Sequence, residues 1–285
     1  MRTISKQWHL AHGRKLELGS TARLMGVLNV TPDSFSDGGR FDRLDHAIAQ
    51  AERMVEEGAD ILDVGGETTK PGAVPVSAAE EQARILPVIE ALALRLPVLV
   101  SVDTYRAETA MLAVQAGAHI VNDIWGLQRE PHIANVAAAT GAGLAVMHTG
   151  RERAVDPDVI ADQMRFLGRS LEIAASAGVD ARQIVLDPGF GFAKETLEIN
   201  LDLMARFEEL HALGFPMLVG TSRKRFIGGV TGRGPDDRDV ATAATSAILR
   251  MKGAAVFRVH NVAFSKDALA LADAMMARTH QTQDP

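Results

Sequence analysis

Short apolar runs rich in Val, Ile and Leu alternate along this chain with longer stretches of helical periodicity. The runs occupy 24–30, 60–66, 98–104, 119–124, 144–149, 184–189, 217–222 and 255–261. They are too uniformly apolar for half-exposed strands, so they read as strands of a parallel sheet buried on both faces. Helical periodicity fills 43–57, 77–94, 106–116, 158–178 and 195–213, and Gly178, Gly214 and Gly253 stand where helices should stop. Eight strand–helix units predict a closed α/β barrel of the (β/α)8 (TIM barrel) type, a single domain over 1–285. Upstream, His9 to Leu18 alternates polar and apolar residues around His12-Gly13, which predicts a short N-terminal hairpin closing the barrel bottom.

Composition changes this picture in one direction. A hydrophobic content of 47% supports a sizeable core, and a formal net charge of −6 argues against nucleic acid or an anionic membrane surface as partner. The absence of Cys excludes disulfides, thiolate metal sites and thiol nucleophiles. No apolar run has the length of a signal peptide or membrane span, so a cytoplasmic protein is expected.

Every predicted strand ends in a polar or ionisable residue: Asn29, Asp63, Asp103, Asn122 with Asp123, His148, Asp187, Ser222 leading to Lys224, and Arg258 with His260. In a barrel of this type the C-terminal strand ends form one mouth, so eight polar endings imply a polar ligand there. Carboxylates with an Asn suit a flat heterocycle bearing several N–H donors, whereas Arg258, His260, Lys224 and Asn29 suit an anionic group. A ring carrying a phosphate satisfies both sets.

Seven segments at successive strand ends carry a family resemblance: NVTPDSFSDGG, DVGGETTKPGA, DTY, NDIW, LDPGFGF, GTSRKRFIG and RVHNV. Together, over roughly Leu24 to Val262, they resemble the dihydropteroate synthase family. The resemblance implies condensation of dihydropterin diphosphate with 4-aminobenzoate to give dihydropteroate and diphosphate, with Mg²⁺ as cofactor. It also implies a homodimer and a sulfonamide target, since the family binds these compounds as 4-aminobenzoate mimics; whether this chain is sensitive to them is open in the sequence. Residue by residue, it assigns Asp187, Asn122, Asp103, Lys224 and Arg258 to the pterin. Asn29, Lys70, Arg258 and His260 fall to the diphosphate, with the metal at Asn29, near Asp33. Phe35, Thr69, Pro71, Ser222 and Lys224 border the 4-aminobenzoate, and the loop bearing Asp33 and Phe35 is expected to act as a lid.

Three positions depart from the family pattern. Lys70 stands where Arg is usual and loses the planar fork for phosphate. Ala193 stands where Gly is usual, which matters if that backbone needs a positive φ. Asn261 replaces an Asp. Other residues keep two readings. Asp63 is either a buried carboxylate satisfied by backbone amides or a ligand to substrate, and His148 is either structural or functional. Asp123 reads as a turn cap, and Glu67 similarly; Arg223 and Arg225 read as solvent-facing. The helix at 240–253 is either internal packing or a dimer face. Rival functions are a Schiff-base aldolase using Lys224, the pterin-binding domain of a methyltetrahydrofolate-dependent methyltransferase, and a non-catalytic pterin-binding protein.

Overall fold

The computed structural model describes residues 6–31, 40–68 and 75–281. Two antiparallel strands, β1 (Lys6–His9) and β2 (Lys15–Leu18), precede eight parallel ones. These are β3 (Arg23–Asn29), β4 (Ile61–Gly65), β5 (Leu99–Asp103), β6 (Ile120–Asp123), β7 (Gly143–Met147), β8 (Ile184–Asp187), β9 (Leu218–Val219) and β10 (Val256–Val259). Helices follow the strands in turn: α1 (Arg40–Glu57), α2 (Ala78–Arg95), α3 (Ala107–Gln115), α4 (His132–Thr140), α5 (Val159–Ser176), α6 (Leu197–Ala205) and α7 (Arg225–Thr231). α8 (Asp239–Met251) also precedes β10, and α9 (Val262–Gln281) follows it. The sheet runs β8-β7-β6-β5-β4-β3-β10-β9, and a parallel bridge from Leu186 to Met217 joins its two ends into the expected barrel.

Strand alternation separates two apolar layers. Val64, Val100, Val102, Val121, Val146 and Phe257 point outward into the larger core beneath the helices. Met25, Ile61, Leu99, Ile120, Ala145, Val185, Leu218 and Val256 point inward, one from each barrel strand, and form a closed plug with Trp8, Leu10 and Leu18 of the hairpin. The hairpin therefore closes the barrel as expected, but it begins three residues earlier, at Lys6. Trp8 is the reason: its ring is buried and its Nε1 donates to Gln183 O at 2.7 Å, satisfying the one polar atom the indole takes inside.

One step further along each strand, the inward positions change chemistry. Ile61 gives way to Asp63, Leu99 to Ser101 and then Asp103, Ile120 to Asn122, Val185 to Asp187, and Val256 to Arg258. The barrel is thus apolar at its base and polar at its mouth. Helix ends are set locally, as at Ser77, whose hydroxyl accepts Glu80 N, and Asp158, whose carboxylate accepts Ile160 N and Ala161 N. Gly253 terminates the turn after α8 at φ +95°, and an added Cβ would lie 2.6 Å from His211 Nε2. β9 is shorter than its apolar run predicts, because the chain after Val219 leaves the ladder to carry Ser222 and Lys224 to the mouth.

Candidate functional site at the barrel mouth

The mouth is organised around one guanidinium. Arg258, on β10, donates from Nε to Asp63 Oδ2 at 2.6 Å and from Nη2 to Asp103 Oδ2 at 2.8 Å. Asn122 Nδ2 donates to the same Asp63 oxygen at 2.9 Å. Asp63 is thus fully buried and held by side chains rather than by backbone amides, with Oδ1 left without a hydrogen-bond partner. Asn122 thus spends its amide nitrogen on Asp63.

Asp187, at the end of β8, is also buried, and its Oδ1 accepts Gly189 N at 2.7 Å. Gly189 is in the left-handed region at φ +63°, and a Cβ there would lie 2.0 Å from His148 O, so no other residue fits this turn. Burial pushes the Asp187 carboxyl up to about 6, against the Gly189 amide and the Lys224 charge. Burial likewise pushes Asp103 up to about 7, opposed by Arg258 and reinforced by Asp63. For Arg258, burial opposes the charge, but Asp63 and Asp103 overcome it and raise its pKa further.

Lys224 follows β9 and lies 4.2 Å from the centroid of the Phe192 ring. Burial, with repulsion from Arg258, lowers its ammonium to about 8. Ser222 Oγ accepts His260 N at 3.1 Å and pairs with His260 Nδ1 at 2.9 Å. With the hydroxyl proton on Nδ1, the imidazole carries its own proton on Nε2. Burial and the neighbouring cations Arg258, Arg223 and Lys224 hold His260 neutral, lowering it to about 4. Asn29 ends β3 with an exposed side chain. Its Oδ1 and Asp103 Oδ2 lie 3.6 and 3.8 Å from the point a Gly65 Cβ would occupy, so Gly65 keeps the space between them open.

The structure therefore brings together Asn29, Asp103, Asn122, Asp187, Ser222, Lys224, Arg258 and His260. Asp33, Phe35, Thr69, Lys70 and Pro71 lie outside the described residues. Asp123 is the turn cap it was read to be, accepting Trp125 N at 2.8 Å and Leu127 N at 2.6 Å. Glu67 instead pairs with Arg106 at 2.9 Å. Arg223 is not solvent-facing: it makes a two-pronged ion pair with Asp239, at 2.7 and 2.8 Å. Arg225 does face solvent, 3.5 Å from Glu195. Asn261 accepts Phe264 N in the first turn of α9 and donates to Asp239 Oδ2 at 3.2 Å, a bond the family's Asp could not donate. Sequence reasoning passed over Phe192 and Lys194. Both stand inside the LDPGFGF segment or beside it, but only the fold reveals that the first meets Lys224 and the second is buried.

The chain matches the family described as pterin binding enzyme over residues 25–260. It is 47% identical over 253 residues to a dihydropteroate synthase of Bacillus subtilis, covering 89% of this chain and 88% of that protein. Among solved structures, it is similar to a dihydropteroate synthase of Clostridium difficile determined in the presence of pteroic acid. That pair shares 42% identity with a TM-score of 0.88, over 91% of this chain and 98% of the other. A Xanthomonas albilineans dihydropteroate synthase with 4-aminobenzoic acid is similar at 41% identity and a TM-score of 0.89, over 95% of this chain and 99% of that one.

Ala193, where the family pattern has Gly, does occupy the left-handed region, at φ +52°. A Cβ there is disfavoured by about 1–2 kcal/mol. Ala193→Gly is expected to stabilise the fold by about 0.5–1 kcal/mol after the added chain entropy of Gly is counted. Urea denaturation measures this, and an unchanged or lower midpoint would mean that the strain is absorbed elsewhere.

Proposed function

From the premise that this chain belongs to the dihydropteroate synthase family of pterin-binding enzymes, we propose a division of labour at its barrel mouth. The reaction is a transfer in folate biosynthesis: the pterin methylene leaves diphosphate and is joined to the amine of 4-aminobenzoate. The observation that carries the site assignment is the set of buried Asp63, Asn122 and Asp187 with the partly buried Asp103 and Arg258, converging from five strands on one opening.

Asn122 Oδ1 and the Asp187 oxygen not held by Gly189 accept the aminopyrimidine N–H donors. Asp103 takes the other side of the ring, and Lys224 its carbonyl side. Arg258, pinned in one orientation by two carboxylates, forms a fixed cationic wall for the ring. His260, through its Nε2–H, and Asn29 bind the diphosphate together with Arg258. Asp33, Phe35, Thr69, Lys70 and Pro71, with Ser222 and Lys224, are assigned to the second substrate, the leaving group and their closure.

The C–O bond to diphosphate breaks heterolytically ahead of attack, because the conjugated ring delocalises the cation that is left. The aniline nitrogen then forms the new C–N bond and releases its proton. An aniline is already a nucleophile, and no strong base is placed for it: His260 is held neutral by burial and by the surrounding cations, with Nδ1 engaged by Ser222. The residues therefore act chiefly by orientation and by fixed charge. Mg²⁺ fits the Asn29 corner, where an exposed amide oxygen lies near the Asp103 carboxylate. Mg²⁺ is an ion that a few protein oxygens hold together with substrate phosphates. Bound there, it would neutralise charge on the leaving group.

We further propose a cytoplasmic homodimer. Val240, Ala244, Ile248 and Met251 form an exposed stripe on α8, and Phe264, Leu271 and Met275 form one on α9, which packs against it. Contiguous apolar surface of this kind marks an interface. Sedimentation should find a dimer that Leu271→Glu dissociates; a monomeric wild type would end this reading. Among the described residues, no helix is long and apolar enough to cross a membrane.

The function is tested by incubating the protein with dihydropterin diphosphate, 4-aminobenzoate and Mg²⁺ and assaying dihydropteroate. Pterin binding without product would favour the non-catalytic reading. The pH dependence follows from the carboxylates. The pterin N–H donors bind ionised Asp187 and Asp103, which in the free protein protonate near 6 and 7. Pterin affinity is therefore full above about pH 8 and falls as pH drops through 7 and 6, by about tenfold per unit for each carboxylate protonated. Calorimetry across pH 5–8 measures it, and a flat profile would remove both carboxylates from the pterin contact.

A further inference from the structure

Lys194 is a buried lysine whose ammonium contacts no carboxylate among the described residues. Only 5% exposed, it reaches Gly189 O at 2.9 Å, His148 Nδ1 at 2.9 Å and Phe192 O at 3.5 Å, one acceptor for each of its protons. A lysine is seldom so buried, because losing hydration is costly unless specific partners replace it. The partners here are themselves held. His148 Nε2 lies 2.8 Å from Asp162 Oδ2 and 2.9 Å from Arg153 Nη2; in the tautomer with the proton on Nε2, directed at Asp162, Arg153 Nη2 serves the carboxylate rather than the ring and Nδ1 is the acceptor for Lys194. Asp162 is fixed in turn by Arg153, through bonds of 2.6 and 2.8 Å, and by Asp156 N at 2.9 Å.

This network ends on the turn that aims Asp187. The peptide between Pro188 and Gly189 is gripped at both ends: its carbonyl accepts Gln163 Nε2 at 2.8 Å, and its N–H donates to Asp187 Oδ1 at 2.7 Å. The next carbonyl, Gly189 O, is the one Lys194 holds. Asn200 secures the far side, accepting Gly191 N at 2.9 Å and donating to Lys194 O at 2.8 Å. We propose that Lys194 is a positioning residue for Asp187: through Gly189 it orients the turn that fixes the carboxylate, and it places a positive charge behind it. This rests on the assignment of Asp187 to the pterin.

The charges around the pair set the expected pH behaviour. Lys224, Arg258 and Lys194 all favour the ionised form of Asp187, against the burial that raises it to about 6. Lys194 is lowered to about 7 by burial, with Asp187 and Asp162 opposing that shift and Arg153 and Lys224 adding to it. His148 is lowered to about 3 by burial and by Lys194, so it remains a neutral acceptor across the working range. Replacing Lys194 with an apolar side chain therefore removes one stabilising charge from Asp187 as well as a hydrogen bond from its turn.

The test compares wild type, Lys194→Met and Gln163→Leu by calorimetry with 6-hydroxymethylpterin, and by steady-state kinetics. Lys194→Met should weaken pterin binding about tenfold, the size expected when a charge-assisted bond in a buried network is lost. Gln163→Leu should act in the same direction. The KM for 4-aminobenzoate at saturating pterin substrate should stay within about twofold, and the acid limb of pterin affinity should move to higher pH in Lys194→Met. A purely structural lysine would not move that limb. Pterin affinity within threefold of wild type in Lys194→Met, or equal loss of both substrates with an unmoved acid limb, overturns the proposal. If Lys194→Met does not fold, His148→Phe, which removes its acceptor, and Gln163→Leu decide by the same criteria. A wild type that binds no pterin overturns the pterin reading of the mouth, and this inference with it; normal wild-type binding that the variants leave untouched overturns this inference alone.

Discussion

The mouth of this barrel depends on a single shared cation. Arg258 serves Asp63 at 2.6 Å and Asp103 at 2.8 Å, so one guanidinium compensates two carboxylates that the fold has taken out of water. Removing one partner of a buried ion pair costs about 3–5 kcal/mol, because the charge left behind has no replacement for its lost hydration. Here the arithmetic is already short by one positive charge. Asp103 lies well above the ordinary carboxylate range, pushed there first by burial and then by Asp63 against the pull of Arg258, and Asp63 retains an oxygen without a hydrogen-bond partner among the described residues. The side chains around the opening are ordered by this shortage: Asn122 turns its nitrogen to Asp63, and Lys224 and Lys194 add charge on the Asp187 side.

Such a concentration of buried charge needs a rigid support, and the layer below supplies it. One apolar side chain from each barrel strand, packed against Trp8 and Leu10 of the hairpin, fills the interior beneath the polar tier. Close packing of that layer fixes strand positions to within the tolerance of a side-chain contact. The polar tier inherits this precision, since Asp63, Ser101, Asn122, Asp187 and Arg258 each stand two residues beyond a plug residue on the same strand. The distance from plug to ligand site is therefore one pleat repeat, and the hairpin at the bottom is coupled to the chemistry at the top through strand geometry alone.

Much of this was legible in the sequence for a definite reason. Strands buried on both faces announce themselves as apolar runs, and the mouth announces itself by the polar residue that ends each run. Asn29, Asp103, Asn122, Asp187, Lys224, Arg258 and His260 could be placed at one rim without coordinates. Partnerships were not legible. Asp63 and Arg258 are 195 positions apart, and nothing local distinguishes a carboxylate held by backbone amides from one held by a distant guanidinium. Arg223 and Arg225 flank Lys224 and look alike in the sequence as solvent-facing cations, but Arg223, in the left-handed region at φ +57°, pairs with Asp239. Lys194 gave no signal, since a lysine after a glycine-rich turn is ordinarily at the surface. β9 was overestimated because apolarity continues past the point where the chain leaves the ladder.

The same pattern of charge explains why a ring bearing a phosphate suits this opening better than either part alone. Both kinds of charge at the mouth are held under strain by burial. Carboxylates at Asp187 and Asp103 are pushed up, whereas Lys224 and His260 are pushed down by burial and by repulsion from Arg258. N–H donors entering on one side restore the hydrogen bonds the carboxylates have lost, and an anion entering on the other relieves the crowding of cations. Arg258 lies between the two sets and repels the cations while binding the carboxylates, so a neutral heterocycle alone leaves the cationic side uncorrected. A ligand carrying both groups on one short linker relieves both strains at once. After diphosphate leaves, the cationic side is again crowded, which favours retaining the anion until the new bond is made.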